Sequence, residues 1–149
     1  MQFDDVSELH YISHTANLDS ILKNGILSNL RARKVPHTSI ADNQVFANRS
    51  EKMIPHGNSL PNYVNLYFHA RNPMMYRVAS EEENLCVLQV SKKVMLLENV
   101  VIADGNASSG YTRFEPSPEG LITINEEFVF ARYWTDTDQI VQWEKKRVK

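Results

Sequence analysis

Side chains that can hydrogen-bond a ligand are concentrated between Leu60 and Arg77, where they alternate with apolar ones. Residues 63–69 read Tyr-Val-Asn-Leu-Tyr-Phe-His. This period-two pattern places the apolar side chains on one face and the phenol, amide and imidazole groups on the other. It predicts a strand whose polar face meets a ligand or, as the alternative, an ordinary core strand.

The dipeptide Asn72-Pro73 predicts that a helix begins directly after this strand, with Asn as the N-cap and Pro at the first helical position. The helix is expected to continue through Val78 and Ala79. A strand that leads at once into a capped helix gathers backbone N–H groups at one corner, where they can receive a phosphate group.

Residues 31–49 are the least regular part of the chain, although a short helix over Ser39–Phe46 is predicted within them. A long irregular segment in a small domain usually binds a ligand or moves. Its local positive charge suits a pyrophosphate or a nucleic-acid backbone, and a solvated basic face is the alternative. The basic residues are Arg31, Arg33, Lys34, His37 and Arg49.

Composition limits the remaining function classes. A chain of 149 residues forms one domain, and a net charge of −2 offers no global attraction for nucleic acid, so such binding must come from local patches. No apolar run approaches the ~20 residues that cross a bilayer. The first residues carry acids rather than the apolar core of a signal peptide. A cytoplasmic protein without a membrane partner is therefore expected.

Metal and thiol chemistry have little support in the sequence. The chain has no G-x-G-x-x-G, no P-loop, no H-E-x-x-H and no C-x-x-C motif. His10 and His14 have no third ligand nearby, so no metal is expected. The single cysteine, Cys86, lies in an apolar run and is interpreted as buried and structural.

Periodicity along the rest of the chain predicts a mixed arrangement of strands and helices in a single domain. The predicted strands are Leu9–Ser13, Leu85–Val90 (buried on both faces) and Asn99–Ala103. Three helices are predicted. The first is capped by Thr15 and closed by Gly25, with Leu18, Ile21 and Leu22 on its apolar face. The second runs from Leu121 toward Trp134, and the third begins near Asp138 and ends in residues 144–147.

Two stretches resemble the DarT family, toxins that transfer ADP-ribose from NAD to DNA bases. Leu9–Ile26 is similar to the family's opening element, an aromatic/His–Ile–Thr–His strand followed by Asn-Leu and a helix closed by Gly. Leu60–Tyr76, LPNYVNLYFHARNPMMY, is similar to the family's central block around Tyr-Phe-x-x-Arg-x-Pro-Met-Leu-Tyr. Residues 49–55, Tyr133-Trp134 and residues 144–146 match further family positions in the same order.

The resemblance implies an α+β, ADP-ribosyltransferase-like fold over residues 1–149, in which a split mixed β-sheet flanked by helices holds NAD as the substrate, without a metal. It implies that the strand at residues 11–13 meets the nicotinamide amide through its backbone. It also implies that an arginine acts on the target base, while aromatic surface and positive charge hold the dinucleotide. The implied catalytic residue is Arg49, and the implied NAD-binding residues are Tyr11, Ile12, Ser13, Ser20, Tyr67, Arg71 and Tyr76.

The sequence differs from the family pattern at two places, and each difference leads to an expectation. His10-Tyr11 reverses the family's Tyr-His order, which implies a different base preference. The family's catalytic glutamate follows the basic run, whereas this chain ends at Lys149, at or before that position. Glu126, Glu127 and Glu144 fall on predicted helices instead. A C-terminally short domain that binds NAD but lacks the catalytic carboxylate is therefore expected.

Three functions remain open at this point. The first is a DNA-modifying toxin that acts on single-stranded DNA and is neutralised by a macrodomain-type antitoxin that removes ADP-ribose. The second is a catalytically inactive module of the same fold that binds NAD or nucleic acid. The third is an ADP-ribosyltransferase that acts on RNA or protein.

Overall fold

The computed structural model describes residues 1–40 and 49–148, and the helix predicted over Ser39–Phe46 lies mostly outside them. Short helices and strands alternate along the described chain, with 3-10 turns between them. In chain order the strands and α-helices are β1 (Glu8–His14), α1 (Leu18–Asn24), α2 (Asn29–Ala32), α3 (Pro73–Arg77), β2 (Leu85–Ser91), β3 (Val101–Ala103), β4 (Phe114–Pro116), α4 (Glu126–Val129) and α5 (Gln139–Arg147).

Two small antiparallel sheets organise the described residues. β1 pairs with β2 over its whole length, from Glu8 opposite Ser91 to His14 opposite Leu85. β3 pairs with β4, so that Ile102 lies opposite Glu115. The strands predicted over Leu9–Ser13 and Asn99–Ala103 are thus confirmed, with slightly different ends.

The core lies where β1, β3 and the 3-10 turns meet. Its seven residues are each at most 6% exposed, and Leu66 and Phe68 pack against them from the extended segment 63–69. Because these side chains are apolar, their removal from water is the main favourable term that holds the short elements together. The core residues are Val6, Leu9, Met95, Ile102, Leu121, Ile124 and Val129.

Helix ends follow the local signals in the sequence. The Asn72 side chain accepts a hydrogen bond from Met75 N at 3.1 Å, which confirms the predicted cap of α3. The Asp138 side chain caps α5 through Ile140 N at 2.8 Å. Gly25 closes α1 with φ of 76°, a left-handed value that other residues adopt only with strain.

The first helix begins differently from the prediction. A 3-10 turn, Thr15–Asn17, precedes α1, and His14 rather than Thr15 caps it, because the His14 Nδ1 accepts a hydrogen bond from Ala16 N at 3.0 Å. Leu22, which was expected on the apolar face, is 84% exposed.

Three predicted elements are wrong in extent. Residues 63–69 form no ladder strand, and only Tyr67 makes an isolated bridge, to His10. The helix after Asn72 ends at Arg77 and gives way to a 3-10 turn. The helix expected from Leu121 toward Trp134 is divided into a 3-10 turn, Glu119–Thr123, and the four-residue α4.

The environment of β2 also differs from the prediction. Its apolar run was expected to be buried on both faces, but none of its residues is fully buried, half-buried and exposed positions alternate from Cys86 onward, and Val87 is 38% exposed. Only one face of this two-stranded sheet is covered, so alternate residues meet solvent. None of the described helices has the length and apolar character that a bilayer-spanning helix needs.

Candidate active site

A cleft of about 330 Å³ lies between β1, α1 and the segment 63–67. A larger cavity of about 1000 Å³ adjoins it, and several residues line both, among them Arg49 and Tyr67. These volumes fall in the range of about 300–1,000 Å³ that small-molecule sites occupy. Six of the predicted site residues line the smaller cleft: Tyr11, Ile12, Ser13, Ser20, Arg49 and Tyr67.

The backbone of β1 offers one free donor and one free acceptor to this cleft. His10 exchanges both backbone hydrogen bonds with Tyr67, at 2.8 and 2.9 Å. Since backbone groups alternate along a strand, Ile12 directs its N–H and C=O toward the same edge as His10. Within residues 1–40 and 49–148, no backbone group pairs with Ile12 there. This edge can therefore bind a primary amide, which needs one acceptor and one donor.

Arg49 presents an unused hydrogen-bond donor at the wall of the cleft. Its Nε is buried and has no hydrogen-bond partner among the described residues. Burial lowers the pKa of the guanidinium, and the phenols of Tyr67 and Tyr11 oppose that shift, yet an arginine stays charged at neutral pH. A buried donor without a partner is costly, so this position favours an anionic or electron-rich group of a ligand.

Two tyrosines flank this guanidinium. Burial raises the pKa of Tyr67, and the charge of Arg49 opposes the rise. Burial also raises the pKa of Tyr11, with a further rise from Cys86 and an opposing effect of Arg49. Both phenols are therefore neutral at pH 7 and provide aromatic surface rather than charge. The Tyr67 hydroxyl donates to Met74 Sδ at 3.1 Å, which holds the ring against α3.

Asn17 joins the rim of the cleft to β1, a role that was not predicted. Its side chain donates to the Thr38 carbonyl oxygen and accepts from Thr38 N, both at 2.8 Å. It also donates to Ser13 Oγ at 3.1 Å. The Asn-Leu pair in the opening motif was the available signal, but sequence alone did not show that its partner lies 21 residues away.

Two predicted NAD-binding residues lie outside the smaller cleft. Arg71 lines the larger cavity, and its Nη2 donates to the Arg132 carbonyl oxygen at 3.4 Å. Tyr76 is 76% exposed and packs edge to face against Trp134, with ring centroids 6.1 Å apart. The sequence pattern placed both residues in the central block but gave no information about whether their side chains face the cleft.

The cleft is cationic where the structure describes it. Arg33 and Arg49 line it, whereas none of its described lining residues is an aspartate or a glutamate. No group of three His, Cys, Asp or Glu side chains in residues 1–40 and 49–148 is placed to hold a metal. The arrangement can thus bind a polyanion, stack an aromatic ring and hold an amide.

Cys86 does not act as a nucleophile in this arrangement. Its Sγ donates to the Ser13 carbonyl oxygen at 3.4 Å, and burial raises the pKa of the thiol. A thiol that resists ionisation is a weak nucleophile at neutral pH. The side chain is partly rather than fully buried, which modifies the predicted burial but agrees with a structural role.

Comparison with known proteins gives one family. Residues 10–149 match the family described as "ssDNA thymidine ADP-ribosyltransferase, DarT". A DNA ADP-ribosyl transferase–DNA ADP-ribosyl glycohydrolase fusion protein from Thermosipho africanus is 30% identical over 146 residues, which is 91% of this chain. The chain spans 37% of the length of that relative.

Solved structures share the fold. Thermus sp. 2.9 DarT in complex with ADP-ribosylated ssDNA superposes with a TM-score of 0.80 at 26% identity, over 99% of this chain and 75% of that one. The same protein in complex with NAD+ gives a TM-score of 0.73 at 27% identity, over 96% of this chain and 73% of that one. The predicted α+β, ADP-ribosyltransferase-like fold is confirmed, with both described sheets small and antiparallel.

Proposed function

The chain belongs to the DarT family of ssDNA ADP-ribosyltransferases, and on this premise we propose that it binds NAD and transfers ADP-ribose to a base of single-stranded DNA. The observation that carries the proposal is the buried Nε of Arg49, which has no hydrogen-bond partner in residues 1–40 and 49–148 and lies at the wall of a cationic cleft. A donor in that position suits the electron-rich edge of a nucleobase or the substrate's anionic groups.

Different residues of the cleft bind different parts of NAD. The free N–H and C=O of Ile12 bind the nicotinamide amide, and Tyr11 and Tyr67 provide neutral aromatic surface beside it. Ser13 and Ser20 line the same cleft and offer hydroxyl groups to the substrate. Such positioning lowers the barrier because the reacting groups no longer have to find one another in solution.

The reaction requires one bond to break and one to form. The bond between C1′ of the nicotinamide ribose and the pyridinium nitrogen breaks, and its electron pair leaves with nicotinamide. A ring nitrogen of the base then donates an electron pair to C1′ and loses its proton to solvent. Arg49 holds the base in line for this attack, a contribution of about 10²–10³-fold for a well-placed donor.

Radiolabelled NAD tests the proposal directly. The protein is incubated with NAD labelled in its phosphates and with single-stranded DNA, RNA and a protein mixture in separate reactions. We expect stable label on single-stranded DNA alone. Label confined to RNA or protein would contradict the DNA target, and failure to bind NAD in calorimetry would contradict the whole assignment.

One observation favours a second function, NAD binding without transfer. None of the described residues that line the cleft carries a carboxylate. The carboxylate of Glu144 instead forms an ion pair with Arg147, with 3.0 Å between Oε2 and Nε. A carboxylate opposite the developing positive charge on the ribose is worth several kcal/mol of transition-state stabilisation. NAD calorimetry combined with a base-modification assay separates the two functions, with Thermus sp. 2.9 DarT as the positive control.

A role in a toxin–antitoxin pair is the remaining part of the proposal. The Thermosipho africanus relative joins a transferase to a DNA ADP-ribosyl glycohydrolase in one protein, which supports a macrodomain-type antitoxin as the partner. Expression of this chain in a bacterial host is then expected to stop growth, and co-expression of a glycohydrolase is expected to restore it. Growth arrest that a glycohydrolase leaves unchanged would contradict this role.

A further inference from the structure

A surface of aromatic and arginine side chains lies where residues 69–77 face residues 130–134. The hydrogen bond from Arg71 to the Arg132 carbonyl oxygen and the edge-to-face contact between Tyr76 and Trp134 join the two segments. We name this surface the aromatic–arginine patch, and it consists of Arg71, Tyr76, Phe130, Arg132 and Tyr133.

The aromatic rings of the patch are unusually open to solvent. Tyr76, Phe130 and Tyr133 keep 76, 41 and 63% of their surface exposed. The Arg132 guanidinium lies over the Tyr133 ring, 5.4 Å from its centroid. Clustered exposed aromatic side chains mark an interaction surface more often than isolated ones do.

The two segments that form the patch carry positive charge. Residues 69–78 and 130–134 contain three arginines and no acidic residue, in a chain whose net charge is −2. A locally cationic surface on an acidic chain attracts a polyanion through the patch alone. An apolar protein partner would not need the arginines, and a double-stranded nucleic acid would not need the open rings.

We infer that the aromatic–arginine patch binds the single-stranded DNA that flanks the target base. Unpaired bases stack on exposed aromatic rings, and arginines between those rings bind the phosphates of the same strand. The inference rests on the proposed function, because it takes single-stranded DNA as the target.

The patch is close enough to the cleft for one strand to reach both. Arg71 of the patch lines the larger cavity, and Arg49 and Tyr67 line both that cavity and the cleft. A strand that is bound at Arg71 can therefore continue along the cavity wall and direct a neighbouring base toward Arg49. This assignment also accounts for the position of Arg71 and Tyr76 outside the smaller cleft.

Two variants of patch residues and two matched controls test the inference. Tyr133→Ala removes an exposed ring, and Tyr111→Ala removes a ring that is 79% exposed on the loop before β4. Arg132→Gln removes a cation of the patch, and Lys93→Gln removes an exposed cation that is not part of the patch and lies in the turn after β2. Fluorescence anisotropy with a dye-labelled single-stranded DNA gives the affinity, and calorimetry gives NAD affinity separately.

We expect Tyr133→Ala to weaken DNA binding by about fivefold or more, as the loss of one stacked base does. Arg132→Gln is expected to lower the slope of log affinity against log salt by about 0.7, the value for one phosphate contact with a single strand. NAD affinity and DNA binding by the two control variants should match the unaltered protein.

Three results would overturn the inference. If the patch variants bind DNA as tightly as the unaltered protein does, the patch does not bind the DNA strand, and the proposed function is unaffected. If the protein binds an RNA of the same sequence more tightly than the DNA, RNA rather than DNA is the ligand of the patch. If the unaltered protein does not bind DNA, both the role of the patch and the DNA target of the proposed function are contradicted. NAD calorimetry would then still test whether the cleft binds NAD.

Discussion

His10 and Tyr67 exchange both of their backbone hydrogen bonds, at 2.8 and 2.9 Å, and so join β1 to the segment that forms one wall of the cleft. Each such bond contributes only about 1 kcal/mol net. The segment is therefore held mainly by Leu66 and Phe68, which pack against the core. This explains how a wall without a strand ladder can keep Tyr63, Asn65 and Tyr67 at the cleft.

The first prediction concerns Arg49. Arg49→Ala should lower the rate of base labelling by at least about 10²-fold, because the donor to the target base is lost. The melting temperature should stay the same or rise, since the variant no longer buries a guanidinium with an unused Nε. Single-turnover labelling and thermal unfolding provide the two measurements.

Arg33→Ala is the matched control, because Arg33 lines the same cleft but is exposed. It should alter the labelling rate much less than Arg49→Ala does. If the Arg49 variant labels the base at the rate of the unaltered protein, Arg49 takes no part in the mechanism. Loss of activity together with a large fall in melting temperature would show that Arg49 acts through folding.

The second prediction concerns the contact between Asn17 and Thr38. Asn17→Ala removes both hydrogen bonds to Thr38 and leaves the rim of the cleft without its connection to β1. NAD affinity should fall several-fold, since the rim must then be ordered when the substrate binds. Asn62→Ala, a change at an exposed asparagine outside the cleft, should leave NAD affinity unchanged in calorimetry. Equal affinities for the two variants would contradict this role of Asn17.

Local signals in the sequence predicted where α3 and α5 begin and where α1 ends. Asn72 and Asp138 cap their helices through hydrogen bonds to backbone N–H groups two or three residues away, so neighbouring sequence contains all the information. Gly25 closes α1 for the same kind of reason. Six of the eight predicted site residues also line one cleft: five lie on β1, α1 and the central block, and Arg49 lies in the matching stretch at residues 49–55.

Long-range pairing explains what the sequence did not predict. The alternation in residues 63–69 is real, since Leu66 and Phe68 pack on the core, but a ladder also requires a partner strand along its length. β4 contains only Phe114–Pro116, and a three-residue strand that ends in proline resembles a loop in any local pattern. The separation of Tyr76 from the cleft likewise depends on a contact with Trp134, 58 positions later.

The third prediction concerns Cys86. Burial raises the pKa of its thiol, so only a small fraction is ionised at pH 7.5 and alkylation should be slow. Cys86→Ala should leave base labelling within about twofold of the unaltered protein, because the thiol takes no part in the reaction. Rapid alkylation by iodoacetamide with parallel loss of labelling would contradict this structural role.

The fourth prediction concerns Asp104, whose side chain is only 1% exposed. It accepts hydrogen bonds from Arg113 N at 2.9 Å and Arg113 Nε at 2.8 Å, and Arg147 Nη1 lies 3.2 Å from its Oδ1. Asp104→Asn should lower the free energy of unfolding by roughly 2–3 kcal/mol, since it removes the buried charge to which both arginines bind. Urea unfolding measures the change, with Glu98→Gln as an exposed control; equal stability of the two variants would contradict the prediction.

The last prediction concerns acid stability and follows from the same carboxyl group. Burial alone would raise the pKa of Asp104, but the hydrogen bonds from Arg113 and the charge of Arg147 outweigh it, so the pKa lies below its ordinary value. The folded form then binds this proton less readily than the unfolded chain does. The contribution of Asp104 to stability is present above the ordinary pKa of about 3.9 and is lost as the pH falls through the lowered value.

We therefore expect the free energy of unfolding to fall as the pH drops below about 4, and to fall less steeply in Asp104→Asn. Asp136 also has a pKa below its ordinary value, chiefly because Lys145 donates a hydrogen bond to it, so Asp136→Asn is the appropriate comparison. Asp136 is more exposed than Asp104, and solvent screens its ion pair. The acid dependence should therefore change more in the Asp104 variant; a larger change in the Asp136 variant would assign acid sensitivity to the start of α5 instead.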